Sequence, residues 1–313
     1  MSSSDAVAPT RRAILDALAS GPIDGPTLAE RLDITRAAVW KHVDGLREAG
    51  FAIESGDAGY VVTDVPEYGG EAVAFGLEPS YEIVYRDVVE STNDCARSLA
   101  IDGARDVVVL ADAQSAGRGR LGRDWTGPSG GIYLSVVLTP DLAPAAVPAV
   151  TLAAAVATVR ALPEELDAGI KWPNDVHTPT GKVAGVLTEM EGEADRVSWV
   201  IVGIGINANV SPGELPAGAT SLQADLGEPV NRRRIVQSLL AAFDELVADP
   251  TLIVPAWKQH ARTLGLRVRV NTPTATVEGT AVDVEPPGHL RIDTGDDVVT
   301  VHAGDCEHLR PAE

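Results

Sequence analysis

The chain has 313 residues, 45% of them hydrophobic, with 2 cysteines and a formal net charge of −20. That length accommodates two or three domains with real cores, and so few cysteines exclude a disulfide framework. No uninterrupted apolar run of about 18 residues marks a membrane span. The opening Met1-Ser2-Ser3-Ser4-Asp5 lacks the basic and then apolar pattern of a signal peptide, so a cytoplasmic protein with no membrane partner is expected. Lys41, Lys171, Lys182 and Lys258 are the only lysines, against 45 acidic residues. An acidic, lysine-poor surface suits a high-salt cytoplasm, where screening suppresses self-repulsion, and points to a salt-adapted organism. An acidic protein from a high-GC genome would have the same composition. Lysine's scarcity also marks Lys171 and Lys182, in the middle of the chain, as candidates for chemistry.

Residues 1–66 read as a winged helix-turn-helix. Ile14, Leu15 and Leu18 have helical spacing, and Gly25-Pro26 opens a short helix through Leu32. Thr35 is a good N-cap for a third helix at about 36–49, whose Val39, Val43 and Leu46 face inward. Residues 51–62 alternate and turn like a wing. The third helix is then the recognition helix, with Arg36, Lys41, His42 and Arg47 as its outward candidates for DNA contact. Acidic side chains outnumber basic ones in this segment, and phosphate binding weakens steeply with salt. A small helical cap without DNA function is therefore the competing reading. Residues 67–80 mix glycine, acid and proline and read as a linker.

Residues 81–262 read as an α+β domain with a mixed sheet. Strands are expected at 82–88, 107–110, 132–138, 169–171, 182–190 and 197–206, and helices at 92–99, 145–162, 230–248 and 251–263. Residues 208–226 read as loop. Polar clusters fall at strand ends or in loops, where sites usually lie. Gln114-Ser115-Ala116-Gly117-Arg118-Gly119-Arg120-Leu121-Gly122-Arg123-Asp124-Trp125 alternates glycine with arginine, as in a mobile loop that closes over a phosphorylated small molecule. Ser91-Thr92-Asn93 offers uncharged hydrogen bonds, or simply caps a helix. Trp172-Pro173-Asn174-Asp175 is a turn with a rigid aromatic. Lys182 opens an apolar strand, and a partly buried lysine calls for an anionic partner. Asn207 follows a Gly-x-Gly. His302, Cys306 and His308 match no zinc spacing, and no metal-ligand set is expected.

Together these clusters resemble the biotin protein ligases, and with the N-terminal module the bifunctional type that is also a biotin operon repressor. The residues are Ser91-Thr92-Asn93, then Gln114 with Gly117-Arg118-Gly119-Arg120, Gly122-Arg123 and Trp125, then Lys171-Trp172-Pro173-Asn174-Asp175, Gly181-Lys182-Val183-Ala184-Gly185 and Gly203-Ile204-Gly205-Ile206-Asn207. The motifs stand in the family's order and spacing. Residues 263–313 look like the family's small SH3-like C-terminal barrel, with Ala303-Gly304-Asp305 and Arg310 matching its closing pattern.

The resemblance implies that biotin and MgATP give biotinyl-5′-AMP, which then biotinylates one lysine of a biotin carboxyl carrier domain. It implies biotin contacts from Ser91, Thr92, Asn93, Gln114, Gly117, Arg118, Arg120, Lys182 and Gly185. For the nucleotide it implies Arg118, Arg120, Arg123, Trp125, Lys171, Asn174, Lys182 and Asn207. Lys182, Arg118 and Asp175 would be catalytic: Lys182 on the carboxylate and α-phosphate, Arg118 holding the loop, and Asp175 orienting or deprotonating the incoming lysine. Trp125 would be a wall for the adenylate or a packing residue. Operator DNA and a second copy of the chain, when adenylate is bound, are the further expected partners. Leu121 departs from the family, standing where a basic residue is common. A DNA-binding regulator that only senses ligand, and a lipoate-type ligase, are the alternatives.

Overall fold

The computed structural model describes residues 6–309; the Met1–Asp5 start and Arg310 lie outside them. The N-terminal module packs α1 (Pro9–Ala19), α2 (Gly25–Arg31) and α3 (Arg36–Glu48) on the hairpin β1 (Ala52–Gly56) and β2 (Gly59–Asp64). Its start signals work locally: Asp24 accepts the amide of Thr27 at 2.8 Å and Thr35 accepts that of Ala38 at 3.1 Å. Val39, Val43 and Leu46 are fully buried, which turns Arg36 and Lys41 outward. His42 is half-buried. Arg47 does not face outward: its guanidinium donates to Ile53 O and Ser55 Oγ and ties α3 to the wing. The segment 67–80 is not a plain linker either. It contains the buried helix α4 (Gly70–Ala74), because Ala72, Val73 and Ala74 find cover between the two domains' cores.

The central domain begins with β3 (Glu82–Val89), α5 (Thr92–Ile101), β4 (Val107–Arg118), β5 (Asp124–Gly127) and β6 (Ile132–Leu138). It continues with α6 (Val147–Ala161), β7 (Gly169–Lys171), β8 (Asp175–His177), β9 (Lys182–Gly192) and β10 (Val197–Ile206). The sheet runs β3-β4-β6-β10-β9-β8-β7, with only β3 and β4 parallel and β5 attached to β4. Alternation along β4 sends Val107 and Val109 to α5 and Val108 and Leu110 to the opposite face, in the main core. The segment Pro144–Ala161 has the length and composition of a membrane span, but 56% of it is buried inside the fold. It is the domain's core helix.

Residues 208–226 are not all loop: α7 (Leu222–Leu226) forms there, capped by Ser221. Then come α8 (Arg232–Ala248) and α9 (Ile253–Gln259), which is shorter than the apolar pattern implied because a 3-10 turn, Pro250–Leu252, takes its first residues. The C-terminal barrel is a five-stranded antiparallel sheet of β11 (Arg267–Asn271), β12 (Thr276–Glu285), β13 (His289–Asp293), β14 (Val298–Val301) and β15 (Asp305–His308). Its closing strand β15 brings Gly304 and Asp305 against the arginine-rich segment of the central domain.

Candidate active site

The first wall of the site is the N-terminal turn of α5. Ser91 occupies the cap position yet makes no side-chain capping bond, and Ser91, Thr92 and Asn93 are all buried. The polar atoms of Thr92 and Asn93 serve tertiary contacts. Thr92 donates its backbone N–H and its hydroxyl to Gln114 Oε1, at 2.8 and 3.1 Å. The buried Ser135 hydroxyl lies 2.8 Å from Thr92 Oγ1 and 2.7 Å from Asn93 Oδ1. Asn93 Nδ2 donates to Glu189 Oε2 at 2.7 Å. This uncharged network needs a bare strand beneath it: a Cβ at Gly203 would fall 2.1 Å from Asn93 Oδ1.

The second wall is the glycine–arginine segment, which is built as a hairpin. Residues 114–118 continue β4, Arg120–Gly122 form a 3-10 turn, and β5 returns beside β4. Three arginines fix this hairpin to three places. Arg118 makes a two-point ion pair with Asp94 of α5, which also raises its basicity. Arg120 donates to Asn174 Oδ1 at 3.0 Å and to Gly304 O at 2.9 Å, and its burial lowers its basicity. Arg123 pairs with Asp305 and holds that carboxyl below its ordinary range. Leu121, at the tip, adopts φ of 57° and is 71% exposed.

Trp125 lies across the floor of the cavity. A Cβ at Gly205 would meet its indole at 2.6 Å and one at Gly185 at 3.0 Å, so glycine here makes room for a flat group. Its Nε1–H is buried and has no hydrogen-bond partner. A buried donor left unpaired is unfavourable, and an acceptor on a ligand would satisfy it. Lys182 Nζ sits 2.8 Å from Asp175 Oδ1 and 5.3 Å from the Trp125 ring centroid.

The structure gathers Ser91, Thr92, Asn93, Gln114, Arg118 and Arg120 around one cavity. Arg123, Trp125, Asn174, Asp175, Lys182 and Gly185 line it as well. Gly117, Lys171 and Asn207 do not. Gly117 is packed inside the hairpin, where a Cβ would fall 2.6 Å from Trp125 O. Asn207 spends its amide on Thr220 O at 3.0 Å, pinning the following loop. Lys171 faces a separate cleft with His177, Arg262 and His308, against the barrel. Asp94, Ser135, Glu189 and, on the third helix of the N-terminal module, the 58% exposed Trp40 escaped the sequence reading, which had Asp305 only as part of the barrel's closing pattern. Only Trp40 had a local signal, its outward register beside Val39.

In that second cleft, burial pushes His177 down to about 4, from 6.5, and its Nε2 is buried without a partner. Between those values the unfolded chain binds a proton that the folded chain does not. Stability therefore rises with pH across this window and is lost as pH falls from about 6.5 toward 4. Replacing His177 with Gln should flatten that part of a melting-temperature profile. An unchanged profile would put the acid sensitivity elsewhere.

The comparisons with known proteins agree with this geometry. The Biotin/lipoate A/B protein ligase family matches residues 85–207, an HTH domain matches 10–61, and a biotin protein ligase C-terminal domain matches 263–309. Fold and site thus define a biotin protein ligase carrying a helix-turn-helix module. A bifunctional ligase/repressor BirA from Bacillus subtilis is 35% identical over 91% of this chain and 93% of its own length. A biotin–[acetyl-CoA-carboxylase] ligase from Mycobacterium tuberculosis is 38% identical over 70% of this chain and 86% of its own. The Aquifex aeolicus biotin protein ligase in complex with biotin and ATP superposes with a TM-score of 0.62, at 27% identity, over 73% of this chain and 99% of that one. The chain belongs to the family of bifunctional biotin ligase/repressors.

Proposed function

We propose that the cavity activates biotin with MgATP and passes it to a lysine of a biotin carboxyl carrier domain. The observation that carries this is the pairing, on one cavity, of an uncharged hydrogen-bonding wall (Thr92, Asn93, Gln114) with a cationic one (Arg118, Arg120, Arg123, Lys182). The first suits a neutral ureido ring, the second a carboxylate brought against a polyphosphate. A carboxylate oxygen attacks the α-phosphorus, its bond to the β-phosphate oxygen breaks, and pyrophosphate leaves. Lys182 neutralises the two anions as they approach and exchanges Asp175 for them. Asp175, so released, takes the proton of the carrier lysine as its amine attacks the acyl carbon and AMP departs. Among the described residues no group of three or more His, Cys, Asp or Glu could hold a metal, so Mg²⁺ enters on the nucleotide, as substrate. Incubation with ATP, carrier domain and either biotin or lipoate, in molar salt, tests the assignment. Label is expected from biotin; transfer from lipoate alone would overturn it.

Arg118→Gly should leave pyrophosphate formation largely intact but let the adenylate escape, giving indiscriminate labelling of bystander proteins. Normal retention of the intermediate would refute the loop's role.

The N-terminal module is the operator-binding part in this reading. In an acidic domain at high salt, phosphate contacts contribute little, so a salt-insensitive contact has to carry affinity. Trp40 is exposed one turn from Arg36 and beside Lys41, where a recognition helix meets base edges. Trp40→Ala should weaken operator binding roughly tenfold, as expected for lost apolar burial, with the salt slope unchanged. Lys41→Ala should instead shallow the slope by about one. Band shifts across a salt series separate the two, and equal slopes for both variants would sink the idea. The bound species should contain two chains when biotinyl-AMP is present. The outer edge of β9 beyond Gly185 has no strand neighbour among the described residues, and it carries the exposed Met190.

A further inference from the structure

Lys182 is the first residue of β9, and both of its backbone polar groups are bound by one neighbouring segment. Its N–H donates to Gly218 O at 3.0 Å, and its carbonyl accepts from Thr220 N, also at 3.0 Å. Thr220 is held from another side by Asn207, whose Nδ2 donates to its carbonyl at 3.0 Å. The turn before Lys182 closes on itself, Thr178 N donating to Gly181 O at 2.9 Å. Asp225, in the short helix α7, joins the turn to the segment. It accepts the hydroxyl of Thr178 on Oδ2 at 2.6 Å, and those of Thr180 and Thr220 on Oδ1 at 2.7 Å each. Asp225 itself lines no part of the cavity.

We propose, on the reading that Lys182 neutralises the anions of biotin adenylation, that Asp225 is a positioning residue: it locks the peptide of Lys182 from both sides and so aims the ammonium into the cavity. A carboxylate suits this place because its two oxygens offer about four acceptor sites and no donor, so several hydroxyls can converge on it. Burial alone would raise the Asp225 carboxyl, but the hydroxyls of Thr178, Thr180 and Thr220 outweigh it and hold the group below its ordinary range. The charged acceptor therefore persists at neutral pH. Lys182 needs such a lock because its Nζ sits at the end of a long, flexible stem. With the cavity free of ligand, Asp175 at 2.8 Å and the Trp125 ring at 5.3 Å to its centroid meet the ammonium. Once Asp175 is exchanged for substrate, the direction of the stem depends on the backbone beneath it. Regular sheet pairing does not fix that backbone, since the register between β8 and β9 shifts between Val176 and His177, opposite Lys182. The segment at 218–220, tied down by Asp225, fixes it instead.

The test uses the full chain at one fixed salt concentration. Asp225→Ala should lower kcat for pyrophosphate formation by about ten- to a hundredfold, the effect of a misaimed catalytic group, with the KM for biotin unchanged. Transfer to the carrier from supplied biotinyl-AMP should keep its rate; equal losses in both steps would mark a general defect of the fold and overturn the proposal. Asp225→Asn, which keeps Oδ1 for Thr180 and Thr220, should fall between the wild type and Asp225→Ala. In a Lys182→Ala background, Asp225→Ala should cost nothing further, because the group it aims is gone. A loss as large as in the wild-type background would show that Asp225 acts independently of Lys182, and would overturn the proposal. Thr178→Val with Thr180→Val, which leaves α7 and its carboxylate in place, gives a second route to the same loss of kcat. Hydrogen exchange reads the lock directly: the amides of Lys182 and Thr220 should exchange about tenfold faster in either variant, the weight of a lost hydrogen bond to a charged group. Unchanged exchange at both amides would overturn the proposal as well. If wild-type protein formed no pyrophosphate from biotin and ATP, the ligase reading would fall, while exchange would still decide whether Asp225 holds Lys182.

Discussion

Lys182→Ala is expected to lower pyrophosphate formation from biotin and ATP by about a thousandfold, with little change in folded stability. The reason lies in the two roles its ammonium plays. With the cavity free of ligand it forms a half-exposed pair with Asp175, 30% and 26% exposed, and pairs of that kind contribute little to folding. In the proposed reaction it is the cation that meets the two anions, and loss of a preorganised charge or donor there costs a factor of a hundred to a thousand or more. Removing it also leaves Asp175 uncompensated beside the incoming phosphate, which adds repulsion. Asp175→Asn should separate the two steps: pyrophosphate formation continues while transfer to the carrier lysine slows. A stopped pyrophosphate assay and a carrier-labelling assay distinguish these outcomes. If Lys182→Ala formed adenylate at a normal rate, the cationic wall would be placed wrongly.

Arg232→Met is the substitution with the largest expected effect on stability, about 3 kcal/mol or more. Arg232 is only 12% exposed at the start of α8. It pairs with Glu67 at 2.8 Å and Asp112 at 2.6 Å, donates to Gly131 O, and stacks over Tyr68 with 4.2 Å to the ring centroid. One guanidinium thus joins the segment after the helix-turn-helix to β4, the strand that runs on into Gln114 and the arginine hairpin. Methionine fills much of the volume but leaves the 24% exposed Asp112 and the more open Glu67 without their cation. The loss should appear in chemical denaturation, and the double change Arg232→Met with Asp112→Asn should recover part of it. A Met variant as stable as the wild type would mean that water reaches this cluster freely.

Motifs in which local chemistry restricts the choice of residue were legible in the sequence. Gly185, Gly203 and Gly205, already motif residues in the sequence, stand where a Cβ would collide with Trp125 or Asn93. Thr35 capped where its position said it would. What stayed hidden depended on partners far along the chain. Asp305 meets Arg123 across 182 positions, and Glu189 meets Asn93 across 96. An exposed acid in a strand or a barrel turn carries no local mark of such a partner, least of all in a chain with 45 of them. Arg47 shows the converse: it has the register of a DNA-contacting side chain, but the wing's carbonyl at Ile53 was nearer. Lys171 and Asn207 belong to motifs that line the cavity, yet the twist of β7 and the loop after β10 turn them to other work.

The indole of Trp125 over its glycine floor has a consequence for how ligand is admitted. The cavity has an aromatic floor belonging to the protein, and Gln114 and Thr92 already satisfy each other. A ligand that bonds to either of these groups exchanges partners with it, and its apparent affinity falls below the intrinsic one by the fraction of time that pair is open. The same arrangement spares the ligand-free protein an open cleft of unpaired polar atoms and makes Trp125 a built-in optical reporter of occupancy.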